Sequence, residues 1–284
     1  MDFLTALPGR GVIAISGADR VRFLQGLVSS DVTLATPDTA IWAGYLTPQG
    51  RWLADFFIFS DEENDRLLLD CEQDMIPDLI TRLSRFRLRA DVRLEAAGYA
   101  VCARWGDLPE GKPGDGIIQA ADPRHALAGL RLLVPGPAPA GTCQSEEYDR
   151  HRLTLGLPDG SRDCVREKTL LLEANFDVLN GVSWTKGCYM GQELTARTHY
   201  RTLLRKRLVP VTSDHPLPPP GTPVLGPDGE DAGEMRSSCD HQGLALLRIA
   251  HMDKRLTCGE GVLTPHVPNW LAPALKEDRE DIAR

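Results

Sequence analysis

"IWAGYLTPQGRWLADFFIF", Ile41 to Phe59, decides the fold class. Two apolar runs flank Pro48-Gln49-Gly50, the residue types a tight turn requires, and predict a β-hairpin. Outward from it, "DEEND" turns the chain into "RLLLDC" (Arg66 to Cys71), another strand, and "GVIAIS" (Gly11 to Ser16) reads as a short buried strand. Between Asp74 and Phe86, residues Met75, Ile76, Leu79, Ile80, Leu83 and Phe86 share one face of a predicted helix, with Pro77 in its first turn. "ADRVRFLQGLVSSDV" (Ala18 to Val32) also has helical apolar spacing, whereas "LRADVRLEAA" and "YAVCARW" return to strand. Helices interrupt hairpins instead of alternating with strands. This order predicts an α+β fold and not a doubly wound parallel sheet.

The 284 residues, 42% hydrophobic and 25% charged, fit a soluble globular chain of one or two domains. A net charge of −8 argues against general nucleic-acid binding. No apolar run approaches the ~20 residues that span a bilayer, so no membrane association is expected. The N-terminus has an early acid and no basic leader region; the expected setting is a bacterial cytoplasm, or the mitochondrial matrix if the chain is eukaryotic. "GDLPEGKPGDG" (Gly106 to Gly116) is a turn-rich loop without the ending of a phosphate-binding loop. "SEEYDRHRLTLG" reads as a helix, with Ser145 placed to cap it. After Arg207, short strand-like runs alternate with Pro, Gly and Asp clusters, little helix is visible, and the charged tail "LKEDREDIAR" is expected to fray. The expected division is residues 1–205 and a β-barrel at 206–284.

Seven cysteines, at 71, 102, 143, 164, 188, 239 and 258, form no paired spacing, so neither a disulfide framework nor a zinc ribbon is expected. One has an unusual setting. In "GVSWTKGCYMGQELTARTHYR" (Gly181 to Arg201), Cys188 follows Lys186 and Gly187 and precedes a predicted helix, "GQELTARTHY", with Glu193 and Arg197 spaced to pair. A nearby cation and a helix N-terminus both favour a thiolate. Gly187 and Gly191 permit backbone geometry and close approach that a side chain blocks. The alternative reading is a buried cysteine in a turn.

"NGVSWTKGCYMGQELTARTHYR" resembles the K-G-C-[FY]-x-G-Q-E signature of the YgfZ-type folate-binding proteins, relatives of the glycine-cleavage T-protein, and especially the branch of the mitochondrial iron–sulfur assembly factor. "FLQGLVSSDV" (Phe23 to Val32), "AGYLTPQGRWLADFFIF" (Ala43 to Phe59), "LGLPDGSRD" (Leu155 to Asp163) and "LLLEANFDVLNGVSWTKGC" also look like family segments, so the resemblance covers nearly the whole chain. It implies a T-protein-like folate-binding domain of mixed and antiparallel sheets with helices, then a small C-terminal β-barrel. It implies a role in assembly or repair of iron–sulfur proteins, including radical enzymes and aconitase-type hydratases, and support of tRNA modification. Cys188 would be the reactive thiol or a ligand of a [2Fe–2S] cluster shared with an A-type iron–sulfur carrier protein, and the clients would be [4Fe–4S] enzymes. Tetrahydrofolate is the implied cofactor. The residues placed at that site are Lys186, Gly187, Tyr189, Gly191, Gln192, Glu193, Arg197 and Thr154.

The rival readings are an aminomethyltransferase and a thiol redox protein. T-proteins carry an Asn-Ala pair and a following Lys-Asp; here Asp70-Cys71 stands at the pair, no Lys-Asp follows, and Asp74 fits only with a shifted register. T-proteins hold the pterin with a Glu in an R-x-E-x-G segment. The corresponding "RLTLG" has Thr154, so folate affinity is expected to be weak. The redox reading lacks a neighbouring resolving cysteine. Arg197, Arg201, Arg205, Lys206 and Arg207 form the densest basic stretch, either a solvated face or a docking site for an acidic partner or a folate polyglutamate tail. His199 reads as surface. Of Trp42 and Trp52, one is expected in the core and one in a pocket wall.

Overall fold

The structure, a computed structural model, describes residues 1–108, 114–200 and 204–282. It divides into two compact units that do not follow chain order. The first comprises Met1–Leu46, Leu53–Tyr148 and Leu179–Met190; the second comprises Thr47–Trp52, Asp149–Val178 and Gly191–Arg284. The K-G-C motif therefore crosses from one unit to the other between Met190 and Gly191.

The first unit holds two sheets. One has the order β3 (Ile41–Leu46), β4 (Trp52–Asp61), β5 (Arg66–Glu72), β2 (Arg10–Ser16), β6 (Arg93–Ala97). The other has the order β1 (Asp2–Ala6), β7 (Tyr99–Gly106), β9 (Leu130–Pro135), β8 (Ile118–Ala121), with every pair antiparallel. Strand alternation sorts the five-stranded sheet into two faces. Ile13, Ile15, Ile41, Phe56, Ile58 and Leu69 enter an apolar core with Leu24 of α1 (Arg20–Gln25) and Leu79 and Leu83 of α2 (Ile76–Ser84). Trp42, Asp55, Phe57 and Asp70 fall on the opposite face.

Helix α2 is shorter than its pattern, because residues 73–75 form a 3-10 turn and Phe86 lies 42% exposed beyond the last turn. Helix α1 is shorter still. It stops at Gln25, and Val28 instead bridges to Tyr45. Trp42 and Trp52 are both core residues, 1% and 0% exposed, so neither is a pocket wall.

The second unit contains a closed barrel in the order β10 (Lys206–Ser213), β13 (Gln242–Arg248), β12 (Asp231–Cys239), β11 (Pro223–Leu225), β14 (Leu256–Cys258), β15 (Gly261–Pro265). Closure removes the edges that such short strands would expose. Leu208, Leu244 and Leu246 pack with Leu153 from α3 (Ser145–Leu155). α4 (Gly160–Asp163) and α5 (Gln192–Tyr200) complete the middle of the chain. The charged tail forms α6 (Ala272–Ile282) instead of fraying. Leu275 is buried, and Asp278 accepts a 2.8 Å bond from Arg207 Nε.

Candidate functional site

The cysteine loop is built by the early end of α1. A helix that stops leaves its last carbonyls without partners. Lys186 reaches one of them, and two carbonyls of the segment after the helix, from far along the chain: its Nζ donates to the carbonyls of Gln25 (2.7 Å), the last residue of α1, and of Val28 (2.8 Å) and Ser30 (2.8 Å). Three N–H donors thus meet three acceptors, and the residue is only 9% exposed. Burial pushes the Lys186 ammonium down to about 8, and the negative charge of Asp31 opposes that. Asp31 is held below its usual range, first by its bond from the Thr33 hydroxyl, against burial, and also by Gln25 and Lys186. The Tyr189 ring centroid lies 5.3 Å from Lys186 Nζ, within cation–π range.

Further bonds fasten the loop to the same segment. Ser183 N donates to Ser29 O (2.9 Å), Met190 N donates to Gly26 O (3.0 Å), and the Ser29 hydroxyl donates to Gly181 O. Lys186 N donates to the Ser183 hydroxyl at 3.2 Å. Two of the family-like segments, Phe23 to Val32 and the K-G-C loop, therefore meet directly. Tyr189 and Lys186 point inward, while Thr185, Gly187 and Cys188 are exposed.

Cys188 is the one exposed cysteine of the seven. Burial pushes the Cys71 thiol up to about 12 and raises those of Cys102 and Cys258. Where the sequence implies a cation supporting the thiolate, Lys186 has its donors committed to carbonyls; it holds the loop's backbone. Gly187 has no positive φ, and a Cβ built on it meets no atom within 4 Å. Gly191 differs, with φ of 81°, a region that favours glycine.

The remaining sequence-derived residues belong to the second unit. Gln192 is half-buried and Glu193 exposed in the first turn of α5. Arg197 is exposed on the same helix, and among the described residues no ion pair joins it to Glu193: the expected i,i+4 pair does not form. His199 is exposed, as expected. Thr154 is exposed on α3; its hydroxyl donates to Arg150 O (2.8 Å) and lies 3.3 Å from Gln242 Oε1. Arg152, two residues earlier, is fully buried and donates to Asp149, Asp163 and Ser237. The basic stretch is not one solvated face. Arg205 is exposed, but Arg207 is 2% exposed and paired with Asp177 and Asp278; Arg201 lies outside the described residues.

A second polar centre in the first unit escaped the sequence reading. Arg10 Nε lies 2.7 Å from Asp70 Oδ1, Arg131 Nη1 lies 3.4 Å from Asp70 Oδ2, and Arg124 Nη2 lies 2.7 Å from Asp122. The three guanidiniums approach the Phe57 ring at 5.5, 4.0 and 4.7 Å respectively. Trp42 Nε1 donates to Asp55 at 2.9 Å. Burial works against the Asp122 carboxylate, but Arg124, then Arg131, outweigh it and hold its pKa below the usual range. The signal available in sequence was charge inside apolar strands: Asp55 and Asp70 interrupt runs that otherwise read as core.

Residues 205–273 match the family model of the CAF17 C-terminal beta-barrel domain. Human mitochondrial iron–sulfur cluster assembly factor IBA57 is 35% identical over 300 residues, covering 93% of this chain and 84% of the relative. The mouse protein is 33% identical over 306 residues, covering 95% and 86%. The Mycosarcoma maydis homologue is 39% identical over 228 residues; that match spans 74% of this chain and only 57% of the relative. The crystal structure of glycine cleavage system aminomethyltransferase T from Bartonella henselae superposes with a TM-score of 0.71 at 13% identity, covering 95% of this chain and 86% of that one, which shows a shared fold. A T-protein-like fold, a closed C-terminal barrel and similarity over 93% of the chain together place this chain in the family of the IBA57 iron–sulfur cluster assembly factors.

Proposed function

We propose that this protein is an accessory factor in iron–sulfur cluster assembly or repair that offers Cys188 as one thiolate ligand to a transferred [2Fe–2S] cluster. The carrying observation is the exposure of Cys188 on a loop fastened by Lys186. Thiolate is the preferred protein ligand for such clusters, which need four ligands. Among the described residues no group of three or more His, Cys, Asp or Glu is placed to hold a metal, which supports completion of the shell in trans by an A-type carrier. The downstream recipients would be [4Fe–4S] enzymes, among them radical enzymes of tRNA modification, in line with the YgfZ-like motif. Among the described residues of the basic stretch, Arg197 and Arg205 are exposed and would steer an acidic partner. The relatives are named as mitochondrial, which fits a matrix setting if the chain is eukaryotic.

Tetrahydrofolate is a weaker part of the reading. Thr154 offers a hydroxyl already bonded to Arg150 O and 3.3 Å from Gln242 Oε1, in place of a pterin-binding carboxylate. Aminomethyl transfer is disfavoured too, since Asp70 is buried against Arg10 and Arg131, and Asp74 lies exposed in a 3-10 turn. The test is anaerobic mixing with a [2Fe–2S]-loaded A-type carrier, followed by size exclusion with visible absorption. Cluster absorbance should co-elute with the wild-type mixture and be lost with Cys188→Ser, whose far-UV circular dichroism stays native. Equal retention by Cys188→Ser, or a stoichiometric cluster on the isolated monomer, overturns the shared-ligand reading.

A further inference from the structure

The four-stranded sheet of the first unit treats its two edges differently. At β1, Leu4 N donates to the Thr142 hydroxyl and Thr142 N donates to Leu4 O, both at 2.8 Å, so the following chain seals that edge. At the other end, β8 pairs only with β9 among the described residues. Every second residue of such a strand directs its N–H and C=O away from its neighbour. Natural edges are blunted by short strands, by Lys, Pro or a bulge, or by a covering loop. β8 is short, but of the sequence devices, Lys, Pro and a bulge, Ile118-Gln119-Ala120-Ala121 carries none.

The open edge lines a cleft of about 700 Å³. Its apolar lining includes Ile117, Ile118 and Pro135. Its rim carries Asp38, Glu62 and Glu63, all exposed, and among the described residues no Lys or Arg lines it. Asp61 also lines it but is neutralised by Arg66 at 2.7 Å. Among the described residues the site therefore combines a strand edge paired on one side, an apolar floor and a negatively charged rim. We propose that this cleft docks an extended, basic segment of a partner polypeptide as a fifth strand beside β8. Main-chain bonds would supply the register, small apolar side chains would meet Ile117 and Ile118, and Lys or Arg would face Asp38, Glu62 and Glu63. A second copy of this chain does not fit: the segment Ile117 to Asp122 contains no basic residue, and two acidic clefts repel each other. Nucleic acid is excluded by the same charge.

The probe is a fluorescein-labelled decapeptide of alternating Val and Lys, titrated by anisotropy against the full chain. Saturable binding with micromolar affinity is expected, weakening as salt rises from about 0.05 M to about 0.5 M. Glu62→Lys/Glu63→Lys, a change at two exposed positions, should weaken it at least tenfold. A peptide N-methylated at alternate residues should lose binding to the same degree, because it keeps the charge but cannot extend the sheet. An unchanged affinity in the double variant, equal binding of the N-methylated peptide or of a Val-Glu peptide, or displacement by spermine at matched concentration would each overturn the proposal.

Discussion

Two regions of the first unit bury cations, and they do it in opposite ways. Around Phe57, Arg10, Arg124 and Arg131 meet the carboxylates of Asp70 and Asp122. Beside Cys188, Lys186 hydrogen-bonds three carbonyl oxygens and lies over the Tyr189 ring, and Asp31 acts on it through its charge. The first arrangement sets guanidiniums against carboxylates, and the Arg131–Asp70 contact joins two sheets. The second keeps a positive charge under a surface loop and uses the ammonium as a three-way backbone tie. The contrast separates a framework from a presented site: one centre is closed on all sides, whereas the other exposes Gly187 and Cys188 above its tie.

The largest effect should come from the closed centre. Asp70→Asn removes a fully buried carboxylate facing two guanidiniums, and stripping one partner from a buried pair costs about 3–5 kcal/mol. A fall of about 10 °C in the thermal midpoint is expected by calorimetry. Alkylation of Cys188 below the transition should stay unchanged. A midpoint shift of only a degree or two would show that the network contributes little and would erase the distinction.

Lys186→Met should cost less globally, about 1–3 kcal/mol for carbonyls left without donors. Its signature is local. Amide exchange at Ser183 and Met190 should accelerate, while the amides of β2 and β5 remain protected. Uniform acceleration through both regions would mean that the tie is part of the general core.

A pH series sharpens the same point. The Lys186 ammonium lies at about 8 in the folded chain against 10.5 for a free lysine. Between these values the unfolded chain still binds the proton that the folded chain has released. Stability of wild type relative to Lys186→Met should therefore rise with pH across that window, by at most about 1.4 kcal/mol per pH unit, and be flat below it. A difference that stays flat across the window in paired urea titrations would mean that the three carbonyls hold the charge against burial.

The smallest effect is expected at Gly187. Ala there meets no neighbour, so stability should change by under about 0.5 kcal/mol. Gly191→Ala, at a left-handed position, should cost about 1 kcal/mol or more. Equal costs in chemical denaturation would place a structural demand on Gly187 that its geometry lacks.

The sequence by itself determined the local pieces. Pro48-Gln49-Gly50 between two apolar runs gave a hairpin, alternation gave strands, and the sparse helices among them gave the α+β class. The strand runs after Arg207 announced a barrel, although β14 and α6 were missed because three residues and a charged tail carry weak periodic signals. Cys188 was legible through its motif. Tertiary structure decided what the charges do. Lys186 turns inward because its acceptors come from residues 156 to 161 positions away, made available when α1 stops at Gln25. Arg207 leaves the basic stretch because Asp177 and Asp278 enclose it. Six of seven cysteines recede from the exposed surface and one does not. Periodicity and turn chemistry act over a few residues and can be read along the chain. Partner choice for a buried charge depends on which distant oxygens the fold brings within about 3 Å, and no local pattern encodes that distance.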